Sequence, residues 1–227
     1  MFFNPLKFLL MILFFGIIIL LFILVEINLV SFAFIEIGIP HQLIFTALLA
    51  TLLGSFINIP LKKIPQEDMA SEERISFFGL TYVVPVWKRK VTILAVNVGG
   101  AIIPTILSIY LLLKTGLYLA AFIATLFMIA ATFKLARPVE GVGIVLPFFV
   151  PPILAALISW FIAYAHAPVI AYICGTLGTL IGADILNLKK VRNLGAPVAS
   201  IGGAGTFDGI FLNGILAVLL SSFFVYP

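Results

Sequence analysis

Charge is the scarcest property of this chain. Its 227 residues include only 13 Lys and Arg, 9 Asp and Glu and 2 His, against 63% hydrophobic residues. So little charge excludes a disordered segment and an ordinary soluble domain. A single cysteine, Cys174, excludes an intrachain disulfide. The strand-period alternation of a membrane barrel is missing. The basic residues form no domain with interleaved aromatics, which speaks against a nucleic-acid partner. No H-E-x-x-H, P-loop, Cys-pair or nucleophile-elbow pattern occurs, so neither a metal nor a cofactor is expected.

What is abundant is apolar runs near the roughly 20 residues that cross a bilayer as a helix. The expected fold class is all-α: one transmembrane domain over residues 1–227, with the lipid bilayer as its first partner. Seven spans are read at about 6–25, 41–59, 91–113, 116–133, 148–165, 168–187 and 198–226. The first follows Lys7 and lacks a small-x-small cleavage site before Glu26, so it reads as a retained anchor. Residues 27–39 are apolar but short, and read as a half-helix or an outer-face amphipathic segment. Pro168 is expected to open the sixth helix.

The few charges are unevenly placed. Lys7, Lys62, Lys63, Arg74, Lys88, Arg89, Lys90, Lys134, Arg137, Lys189, Lys190 and Arg192 fall on one predicted side, and only Lys114 on the other. The positive-inside rule then predicts a cytoplasmic N-terminus and an external C-terminus in a cell membrane. The polar stretch 61–90 reads as an exposed cytoplasmic loop. Glu26, Glu36, His41 and His166 gather on the outer face and read as solvated loop residues rather than metal ligands.

A repeat is suggested. Thr51–Lys63 (TLLGSFINIPLKK) is similar to Thr179–Lys190 (TLIGADILNLKK) with one gap. Each is followed by a glycine-broken span, VNVGGAIIP and ASIGGAGTFDG. The halves would be 1–113 and 148–227, joined by helix 116–133, in the parallel arrangement that some secondary transporters use.

Two aspartates break the apolar runs: Asp184 in TLIGADILNLKK and Asp208 in GGAGTFDG. A carboxylate at membrane depth costs at least about 2.5–3.5 kcal/mol on the insertion scale, so it normally faces protein or water and has a task. Asp184 lies about 24 Å along a helix begun at Pro168. The segment after Asp208 is about 27 Å long as a helix and nearly spans the bilayer alone. Both carboxylates are therefore expected near the cytoplasmic side. If close, they would share a proton rather than both ionise. The stretch between them should be unwound, since one helix from Pro197 to Tyr226 would measure about 45 Å.

The candidate site is thus Asp184 and Asp208 as the acid–base or ion-binding pair. Asn97, Asn187, Ser200, Gly202, Gly203, Gly205, Thr206 and Asn213 are candidate ligand-binding positions. The structural alternatives are a helix-end pairing of Asp184 with Lys189, Lys190 or Arg192, and a helix N-cap at Asp208.

Two resemblances follow from these residues. ARPVEGVGIVLP, GTLIGADILNL and GAPVASIGGAGTFDGIFLNGILAVLL, with VNVGGAIIP before them, resemble a family of prokaryotic polytopic membrane proteins. It is the domain of unknown function numbered sixteen-fourteen, and the likeness runs over roughly residues 40–226. The Ala183–Asp184 pair and Gly203 to Asp208 are also similar to the tyrosine–aspartate and Gly-x-Gly-Asp motifs of presenilin-like and signal-peptide-peptidase-like proteases. Tyrosine is absent here, and two extra residues precede the second aspartate. The readings are a secondary transporter or channel-like protein for a small ion or solute, an intramembrane aspartyl protease acting on a membrane peptide, and a non-catalytic scaffold.

Overall fold

The computed structural model describes residues 27–65, 70–77, 80–87, 91–139, 143–193, 197–203 and 209–225. The span at 6–25 therefore lies outside the described residues. The described chain is mostly helical. Its helices are α1 (Ile27–Glu36), α2 (His41–Ser55), α3 (Ile103–Thr115), α4 (Tyr118–Leu135), α5 (Val150–Ile162), α6 (Ala167–Thr179) and α7 (Gly209–Val225). Proline sits in the first turn of α5 and α6, where its missing N–H removes no helical bond, and Pro104 of α3 follows directly on a π-helical turn. Pro168 does open the sixth helix, as its sequence suggests.

Among the described residues, three helical stretches are long and apolar enough to cross a membrane: Val98–Thr115, Tyr118–Leu135 and Tyr164–Lys190. Four shorter apolar helices accompany them: Ile27–Glu36, His41–Ser55, Val150–Ile162 and Ile210–Val225. Helix α6 is the centre. All its residues but Leu177 are buried, and it packs on α3, α4, α5 and α7. Between lipid-embedded helices the attraction is mainly packing, so small residues let the axes approach. A Cβ at Gly178 would fall 2.5 Å from Met128 Cβ, and one at Gly182 would fall 2.1 Å from Thr132 Oγ1. Gly178 and Gly182 are thus accounted for by contact with α4, and Gly175 by contact with Ala155 on α5 and Ala217 on α7.

Residues 27–39, read as a half-helix or an outer-face amphipathic segment, hold the short helix α1 with one face buried. Ala33, Phe34 and Ile37 are buried, and the Phe34 ring lies 6.3 Å from that of Phe211 on α7. Lys114 at the end of α3 donates to the Gly38 carbonyl, in the turn between α1 and α2.

The all-α expectation needs correction. Three small sheets are present. β1 (Asn58–Pro65), β4 (Val91–Asn97) and β7 (Val198–Ile201) form one, in the order β1-β4-β7. β1 is antiparallel to β4, from Asn58↔Asn97 to Pro65↔Val91. β7 runs parallel to β4, from Ile93↔Val198 to Val96↔Ile201. β2 (Ala70–Phe77) and β3 (Leu80–Trp87) make a hairpin, as do β5 (Arg137–Val139) and β6 (Gly143–Val145). The stretch 61–90, read as a loop, is therefore largely strand. The prolines of β1 fit this: Pro60 lies at a register shift and Pro65 ends the strand, both on the sheet edge where a missing N–H is tolerated.

The span read at 91–113 is likewise not one helix. It is strand β4, then a π-helical turn at Val98–Ile102, then α3. The last span is broken as expected: strand β7 gives way to Gly202 and Gly203, both at positive φ, and α7 is described from Gly209 to Val225.

Candidate functional site

The sixth helix does not stay α-helical to its end. After Thr179 it widens into a π-helix, Leu180–Ile185, with Leu186 N bonded to Ile181 O. In an α-helix, residues five apart point roughly 140° away from each other. Bonding from i to i+5 brings them toward one face, and such turns recur at functional sites. Here it brings Asp184 onto the side that carries Thr179. Asn187 closes the widened turn from below, its Nδ2 donating to Gly182 O at 3.0 Å and Ala183 O at 2.9 Å.

Asp184 is half-buried. Its Oδ2 accepts one hydrogen bond, from Gly202 N–H at 2.7 Å. That amide is presented because Gly202 adopts φ +85°, and a Cβ there would lie 2.7 Å from both Ala101 Cβ and Ala101 N. Among the described side chains no basic group pairs with this carboxylate. Of the three expected helix-end partners, Lys190 lies 5.3 Å over the Phe133 ring, Lys189 is exposed, and the side chain of Arg192 lies outside those described.

A second cluster lies where β1, β4 and β7 meet. Asn58 Oδ1 accepts from Ser200 Oγ at 2.6 Å and Asn97 Nδ2 at 3.1 Å. Asn97 also donates to Ser55 O at 2.7 Å and accepts from Gly100 N at 2.8 Å. A third cluster ties α7 to α6. Asn213 Nδ2 donates to Gly175 O at 2.7 Å and to Thr179 Oγ1 at 2.6 Å. Its Oδ1 is buried with no partner among the described residues.

A cavity of about 310 Å³ joins these features. Asp184, Thr179, Ser200, Gly203 and Asn213 supply its polar lining. Leu94, Pro147, Phe148, Pro151 and Ile210 supply apolar walls, and the whole of β7 and β6 borders it. Of the residues nominated from sequence, Asp184, Ser200, Gly203 and Asn213 come together on the cavity, and Gly202 holds the aspartate. Asn97 and Asn187 do not reach it. Both are about 1% exposed and spend their side chains on backbone and strand contacts. Asp208, Gly205 and Thr206 lie outside the described residues. Sequence reading missed Thr179, whose place beside Asp184 depends on the π-turn, and the β6–α5 wall from Gly143 to Phe148.

Residues 52–220 match the family described as Protein of unknown function (DUF1614). The chain belongs to this family. No curated protein and no solved structure matches it. The resemblance seen in the sequence to DUF1614 is thereby shown, while the likeness to presenilin-like proteases is not. Membership of the family carries no stated activity, so function rests on the site.

Proposed function

We propose that this chain is a multi-pass membrane protein that acts as a secondary transporter, with Asp184 and Asp208 binding a proton or cation. One observation carries the reading: a carboxylate in an apolar bundle opens onto a 310 Å³ cavity and has no basic partner among the described residues. An unpaired carboxylate is costly to bury and is retained where a mobile positive charge visits it. Asp208 falls one residue before α7, whose Ile210 and Asn213 line the same cavity. The seven-span topology, with a cytoplasmic N-terminus and external C-terminus, belongs to this proposal.

The parallel repeat belongs to it too, and the sheet supports it. In the suggested alignment Asn97 matches Ser200 and Gly99 matches Gly202. The strands carrying them, β4 and β7, run side by side in parallel. Asn97 and Ser200 both bond Asn58 Oδ1, and Gly202 packs on the Gly100–Ala101 backbone. Proton- or cation-dependent flux into sealed vesicles tests the reading. Both Asp184→Asn and Asp208→Asn should abolish it in folded protein.

A second reading has its own observation. β7 is an edge strand, and its residues line the cavity beside Asp184. A free strand edge is a ready template for an extended peptide. With Asp208 as the second carboxylate, the site would then be an intramembrane aspartyl protease, one carboxyl acting as general acid and the other as general base. Cleavage of a membrane peptide, blocked by an aspartyl transition-state mimic, would favour this reading. Its absence alongside flux would favour transport.

A further inference from the structure

Asn213 and Thr179 both line the cavity and are hydrogen-bonded to each other. Asn213 is 4% exposed, and both protons of its amide nitrogen are already used. Its carbonyl oxygen is buried without a partner among the described residues, on a residue that lines the cavity. A buried acceptor left unmade costs about 1–3 kcal/mol, so an arrangement that orphans one calls for an occupant that donates.

The other polar groups have the same bias. Ser200 gives its proton to Asn58 Oδ1, so its oxygen faces the cavity with lone pairs only. Asp184 has one oxygen on Gly202 N–H and the other without a hydrogen-bond partner among the described residues. Thr179 contributes a hydroxyl whose oxygen already accepts from Asn213. The one formal charge is negative, and no basic side chain described lines the space. An anion is disfavoured there by repulsion from Asp184.

Size and walls narrow the class. A single metal ion needs little more room than one water, about 30 Å³. This cavity is about 310 Å³, inside the range of small-molecule sites. Its remaining surface is apolar, from Leu94, Pro147, Phe148, Pro151 and Ile210. Groups that accept hydrogen bonds at one part and apolar walls elsewhere match a molecule with a charged amine and a hydrocarbon body.

We propose that the Asp184–Asn213 cavity binds a small organic ammonium ion, its N–H groups on Asn213 Oδ1, Ser200 Oγ and Asp184 and its apolar part against Phe148 and Pro151. The inference rests on the transporter reading and names its substrate class. The test is calorimetric titration of the full chain in lipid nanodiscs at neutral pH, with empty nanodiscs as the blank. The probes are benzylammonium, benzyl alcohol, benzoate and sodium ion.

Benzylammonium should bind saturably, at least about tenfold more tightly than benzyl alcohol, since a charge-assisted hydrogen bond contributes that much or more. Asp184→Asn and Asn213→Leu should each weaken it by a similar factor. Should Asn213→Leu fail to fold, the ranking of the four probes on the unaltered chain still decides. Equal binding of the alcohol, preference for benzoate, sodium binding more tightly than the amine, or no saturable binding would each overturn the proposal. Vesicle flux separates the two claims. Asp184-dependent proton or sodium flux without amine binding would sink the substrate class alone. Amine binding without any flux would sink transport and leave the site.

Discussion

Gly202 does two things at once: its left-handed backbone turns the chain out of β7, and its N–H holds Asp184. Gly202→Ala is expected to lower the thermal midpoint of the protein in detergent. The left-handed strain alone costs about 1–3 kcal/mol, and the new methyl meets Ala101 at 2.7 Å. Gly116 is the control. It too has positive φ, at +68°, but a Cβ there meets nothing within 4 Å. Gly116→Ala should therefore cost only the strain, about 1–2 kcal/mol. Equal losses at the two positions would contradict the packing described around Gly202. Asp184→Asn should behave differently from either. An amide oxygen still accepts from Gly202 N–H, so the variant should fold with a midpoint near that of the parent while losing the negative charge. A collapse in stability would mean that the carboxylate is structural, as the scaffold reading requires.

The π-segment Leu180–Ile185 decides which side chains share the cavity. Thr179 and Asp184 both line it, which residues five apart on an α-helix would not do. The chain offers a clean probe, because Cys174 is its one cysteine and is buried. Thr179→Cys and Asp184→Cys should both react with a small water-soluble thiol reagent, whereas the parent should not. Reaction at only one of the two would contradict the π-turn. This turn also marks the limit of what sequence made legible. Asp184 stood out because an ionisable group in an apolar run is costly. Thr179 did not, because it reads as helix interior until the i to i+5 bonding is seen. The broken last span was readable from its length and its glycines. The sheets were not. β1 carries two prolines and two lysines and reads as loop, while β4 merges in composition with the apolar run of α3. Their pairings, Asn58↔Asn97 and Ile93↔Val198, join residues far apart in the chain, where local pattern carries no signal.

At the scale of the molecule, a buried helix α6 is surrounded by apolar helices, with the mixed sheet joined to the ends of α2 and α6 and the starts of α3 and α7. The Lys and Arg distribution predicts which end faces the cytoplasm. Reporter fusions at the two termini should give a cytoplasmic signal at the N-terminal end and an external one at the other, and signals on the same side would refute seven spans. In the proposed function, positive charge crosses the bilayer by way of Asp184. The most direct test is cation- or proton-driven flux into liposomes holding the purified full chain, read with a pH-sensitive or cation-sensitive dye. The expected result is flux with the parent chain, and flux at the level of protein-free liposomes with folded Asp184→Asn. Undiminished flux in Asp184→Asn, or none in the parent under either gradient, would contradict it.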